Sequence, residues 1–94
     1  MITTIVTEFQ KQVEEALNDI FDSDGENKSE IQEVSEKAAE LKLDLENNDE
    51  VSFELTVDMI KRKLQERSVG GPEWAWKNWI GTLEAFNIIP DGYQ

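Results

Sequence analysis

The sequence predicts a small, mainly helical α+β domain with the order α-α-β-β-α-α, in which helices cover the apolar face of a two-stranded antiparallel hairpin. Three observations predict it. Apolar residues recur every three or four positions near both ends of the chain, the spacing of a buried helix stripe. Between Leu41 and Val57 the period shortens to two, the alternation of a strand. Clusters of turn formers separate these stretches. With 94 residues the chain has room for one core, so 1–94 reads as a single domain. Three tryptophans and four phenylalanines among 38% hydrophobic residues supply more core-forming side chains than an acidic disordered tail carries.

The first helix starts at Ile2. Ile5, Val6, Phe9, Val13, Leu17, Ile20 and Phe21 line one side, and Glu8, Lys11, Glu14, Glu15 and Asn18 line the other. The turn formers Asp22 to Asn27 end it. Ser29 reads as the cap of the second helix, with Glu30 and Glu33 near its positive end and Ile31, Val34, Ala38 and Leu41 inward. The hairpin pairs Leu45 with Val51, Leu43 with Phe53 and Leu41 with Leu55 around an Asn47-Asn48-Asp49 loop, because that register places every apolar residue on one face. Thr56 reads as the cap of the third helix, with Leu55 and Ile60 as a staple and Val57, Ile60 and Leu64 inward. Ser68 to Gly71 break that helix, and Pro72 opens a fourth, where its missing donor costs nothing. Trp76, Trp79, Ile80, Leu83 and Phe86 form its inward stripe, and Glu66 and Glu84 are expected on helix exteriors. Pro90-Asp91-Gly92 marks the end.

Charge is the strongest functional signal. The first 50 residues hold fifteen acids against four lysines, so almost the whole net charge of −12 lies on one half. Such a field favours basic partners and repels nucleic acid and anionic membranes. The C-terminal helix, turn and helix outline a helix-turn-helix, but its second helix offers one base, Lys77, where phosphate binding needs several. Lys61, Arg62, Lys63 and Arg67 form the basic cluster and read as a solvated face offsetting neighbouring carboxylates. With no histidine and no cysteine, neither a Ser-His relay nor a thiolate nucleophile can be assembled, and the chain reads as non-enzymatic. The lack of cysteine fits a reducing compartment, and the N-terminus has no signal-like basic and apolar run, which together point to the cytoplasm.

Phe21 to Glu33 resembles one EF-hand calcium loop between two helices. The resemblance implies Asp22, Asp24 and Glu26 at the first, third and fifth ligand positions and Glu33 as the bidentate twelfth. Asn27 stands where that family has glycine, and Ser29 where it has an aliphatic residue. An acidic turn between helices uses the same residue types and is the preferred reading. No cofactor is expected unless this loop takes Ca²⁺.

The function expected from these residues is a protein-binding module, an inhibitor or regulator that docks its acidic face on a basic partner surface, such as the nucleic-acid site of an enzyme, in the manner of a nucleic-acid mimic. Its contact residues would be Glu30, Glu33, Glu36, Glu40, Asp44, Glu46, Glu54 and Trp74. Trp74 lies two residues from Trp76 and so points roughly 200° away from the inward stripe, either packed on the turn at Val69 and the C-terminal tail or standing as an interface anchor. The alternatives are a calcium-responsive regulator and a small structural subunit that uses Trp74 and the hairpin edge as contacts.

Overall fold

Four helices form the protein: α1 (Ile2–Ile20), α2 (Glu26–Glu46), α3 (Val57–Gln65) and α4 (Gly71–Ala85). The computed structural model describes residues 2–21, 26–48, 51, 53–67 and 70–94, with side chains at all of these except residues 2–6 and 26. Among them α1 packs on α2 and α3, and α4 packs on α2 and α3, so α1 and α4 lie across one diagonal and α2 and α3 across the other. The molecule measures 38 × 32 × 19 Å, about two helix diameters in its thinnest direction. It is therefore a two-layer helical domain.

The periodic stripes of α1, α3 and α4 bury most of the expected residues whose side chains are described, while Ile20 and Val57 are half-buried and the side chains of Ile5 and Val6 lie outside the described residues. Phe9, Val13 and Leu17 enter the core from α1 and Phe21 from just past its end, Ile60 and Leu64 from α3, and Trp76, Trp79, Ile80 and Leu83 from α4. Trp76 and Trp79 meet edge to face, with centroids 6.1 Å apart and planes at 81°, the arrangement that sets a ring's positive edge against its neighbour's negative face. Thr56 caps α3 as expected, its hydroxyl accepting from the Met59 amide at 3.2 Å. Pro72 occupies the first turn of α4.

The β-hairpin does not form, and the domain is all-helical among the described residues. α2 continues through Leu41, Leu43 and Leu45 to Glu46, and the Asn47 amide still donates to the Leu43 carbonyl at 3.2 Å. The physical reason is the rest of the stripe. Ile31, Val34, Ala38, Leu41 and Leu45 follow steps of three, four, three and four, and all five are buried. Of the three leucines only Leu43 leaves this line, and it is half-buried. Ser35 also lies in the stripe, fully buried, and donates its hydroxyl proton toward the Ile31 and Gln32 carbonyls, 2.9 Å from each. A helix-preferring composition rich in Glu, Lys, Ala and Leu then decides between two periods that the leucines alone leave open.

The other half of the expected hairpin forms no strand among the described residues. Leu55 is buried and Val51 and Phe53 pack partly against the core, so these apolar residues are used inward, but among the described residues they pair with no neighbouring strand. The Leu55 carbonyl instead accepts from Lys42 Nζ at 2.9 Å. Asp49, at the loop's end, lies outside the described residues.

Two further expectations are corrected. Ser29 is not a cap, because α2 already includes Glu26. Phe86 does not extend the inward stripe and is 72% exposed. Asn87 takes a left-handed conformation (φ 59°), and the Ile88 and Asn87 amides donate back to the Leu83 and Glu84 carbonyls at 2.9 and 3.0 Å. This paired motif closes the helix end and turns the chain away before Phe86 can reach the core.

Candidate functional site

α2 carries seven carboxylates against three lysines. At 100° per residue, Glu30, Glu33, Glu36, Glu40 and Asp44 fall within an arc of roughly 120° that runs from beside the buried stripe, at Glu30, to the side opposite it, at Glu36. The unbroken helix is what gathers them. A hairpin beginning at Leu41 would have put Asp44 on a separate strand.

These residues do not share one role. Glu36 and Glu40 are exposed and make no ion pair among the described residues. Glu33 lies 3.7 Å from Lys37, one turn on, and its side chain stays half exposed. Glu30 is used within the fold: its Oε1 accepts from the Glu73 amide at 3.1 Å. That amide is one of the unpaired donors at the start of α4, whose capping residue Gly70 has no side chain to offer. A carboxylate from α2 therefore does the work of a cap, as the positive end of a helix favours.

Glu46 and Glu54 lie elsewhere. With Lys42, Leu45, Phe53 and Leu55 they line a shallow depression of about 160 Å³ beside the segment before α3. Lys42 dominates it. Its ammonium lies 3.6 Å from Glu46, 5.5 Å from the centre of the Phe9 ring and in hydrogen-bond contact with Leu55, so it ties α2 to α1 and to the segment before α3. Trp74 is 50% exposed. Its ring lies on Gly70, where an added Cβ would stand 2.6 Å from Trp74 Cδ2.

The calcium-loop residues Asp22 and Asp24 and the side chain of Glu26 lie outside the described residues. Among the described residues no three His, Cys, Asp or Glu side chains converge as metal ligands. Of the basic cluster, Lys61 reaches Asp19 at 3.4 Å. Arg67 donates to Asn78 Oδ1 at 2.9 Å and to the Lys63 carbonyl at 3.0 Å, joining α3 to α4. On α4, Lys77 stands 3.0 Å from Glu73, which holds the Glu73 carboxyl below its ordinary range and the Lys77 ammonium above its own.

The most elaborate polar constellation was not expected. Glu84 is 9% exposed, not an exterior residue. Its Oε2 accepts from the Gly92 and Tyr93 amides at 3.1 and 3.0 Å, and its Oε1 from Gln94 Nε2 at 2.6 Å. Burial alone pushes this carboxyl's pKa up, but the bonds from Gln94, Tyr93 and Gly92 outweigh it and hold the pKa below the ordinary value. Trp76 Nε1 donates to the Tyr93 carbonyl at 2.8 Å. Across the seam between α4 and α2, the Tyr93 hydroxyl donates to Asp44, and Lys37 Nζ donates to the Gln94 carbonyl at 2.9 Å. One signal in the sequence points to this: Trp76, Ile80 and Glu84 are spaced by four, which puts a carboxylate on the inward stripe, where it must find donors.

Comparison with protein families, with curated proteins and with solved structures finds no match. No helix among the described residues is long and apolar enough to cross a membrane.

Proposed function

We propose that this protein is a non-enzymatic binding module that lays the carboxylate face of α2 on a basic surface of a partner protein, such as the nucleic-acid site of an enzyme. One observation carries the reading. Glu33, Glu36, Glu40 and Asp44 stand on one solvent face of a single helix, over roughly 16 Å of its length, and Lys37 is the one base among them. Successive helical turns place these charges at regular intervals on a rigid element, so a partner's lysines or arginines meet preplaced acceptors. Long-range attraction then speeds encounter, and added salt slows it.

Octalysine is a defined probe of this face. On titration into the ¹⁵N-labelled protein, the amides of residues 33–44 should shift together, and the affinity should fall steeply with salt. Shifts centred on α1 or α3, or none at all, would remove the α2 face from the interface.

A further inference from the structure

We propose that residues 90–94 form a displaceable strap that competes with a basic partner for the α2 carboxylate face. This rests on the reading of that face given above and adds its regulation. The strap covers part of the face directly. Tyr93 donates its hydroxyl proton to Asp44, and the Gln94 carbonyl takes up Lys37, so two of the charged groups in the arc already have partners inside the chain. An incoming ammonium or guanidinium that binds Asp44 must take the place of the Tyr93 hydroxyl.

The strap is built to leave without dismantling the core. Ile89 is the last deeply buried residue, and Pro90, Asp91, Gly92 and Gln94 are exposed. Its ties to the bundle are largely polar: three to Glu84, one to the Trp76 indole, one to Asp44 and one to Lys37. Apolar support is confined to Tyr93, whose side chain packs partly on the core. Gly92 has a φ of 108°, a conformation that L side chains rarely adopt. That turn accompanies two successive amides directed at one carboxylate oxygen. Water can replace most of these bonds once the segment lifts, so opening costs far less than unfolding a helix.

Because strap and partner share Asp44, their binding is linked reciprocally: whatever loosens the strap strengthens the partner, and the partner in turn lifts the strap. The Trp76 indole proton reports the strap from beneath, since its acceptor is the Tyr93 carbonyl.

The test follows octalysine binding and the Trp76 indole resonance together, in the parent protein and in Tyr93→Phe and Glu84→Ala. Tyr93→Phe removes only the hydroxyl bond and frees Asp44, so octalysine should bind about two- to tenfold more tightly, the equivalent of one net hydrogen bond. Saturating octalysine should move the parent's indole resonance toward its position in Glu84→Ala, or, if Glu84→Ala does not fold, toward the position of a solvent-exposed indole in the denatured protein, since the bond to the Tyr93 carbonyl is lost when the strap lifts. Octalysine that binds with the indole unmoved, or with unchanged affinity for Tyr93→Phe, would overturn the competition and leave the α2 face standing. Failure of octalysine to bind any form would overturn both.

Discussion

Glu84 and Tyr93 hold the same segment from opposite sides, and their titrations weaken it at opposite ends of the pH scale. Glu84 has a lowered pKa in the folded chain, so the stability it contributes is present above its ordinary value of 4.5 and is lost as pH falls through the folded value. Tyr93 behaves in the reverse sense. The hydrogen bond to Asp44, burial, and the charges of Asp44 and Glu40 raise its pKa from 10.0 to about 12. Its contribution is therefore complete below pH 10 and is lost as pH rises toward 12. Tyr93 is the only tyrosine, so an ultraviolet titration of tyrosinate reads it without ambiguity. It should ionise well above 10 in the native protein and near 10 in denaturant, and Asp44→Asn should lower the native value. Identical native and denatured titrations would show that the phenol is free in solution. The spacing of Glu84 from Trp76 and Ile80 signals its burial, but the Tyr93 partnership cannot be read from the sequence, because Asp44 and Tyr93 are 49 positions apart and no periodicity links them.

Among the elements, α1, α3 and α4 were legible because each carries an uninterrupted three-and-four stripe with a punctuating residue at one end, such as Thr56 or Pro72. The second half of α2 was not. Leu41, Leu43 and Leu45 satisfy a period of two by themselves, and they show a helix only when Ile31, Val34 and Ala38 are read in the same frame. Val51, Phe53 and Leu55 reinforced the wrong reading, since apolar residues of a connecting segment that lies against a core can alternate without pairing. The two folds make different demands on the leucines. In the helix Leu41 is fully buried and Leu43 only partly, so Leu41→Ala should cost about 2–5 kcal/mol and Leu43→Ala clearly less. In the hairpin both would face the core and cost alike. Denaturant unfolding of the two variants decides the matter, and equal losses would contradict a helix through Glu46.

For the molecule as a whole, the charge division visible in the sequence survives folding but acquires a direction. Glu30 is turned inward to cap α4, Glu46 and Glu54 belong to a separate depression, and Glu33, Glu36, Glu40 and Asp44 remain as one face. The most direct measurement is therefore a comparison of charge reversals at constant net charge. Glu36→Lys with Glu40→Lys changes the α2 face, and Glu8→Lys with Glu15→Lys makes the same change at exposed positions of α1. Octalysine affinity at low salt should fall several-fold more for the α2 pair than for the α1 pair. Equal losses would mean that octalysine senses only the total charge, and the claim that α2 presents a docking face would be wrong.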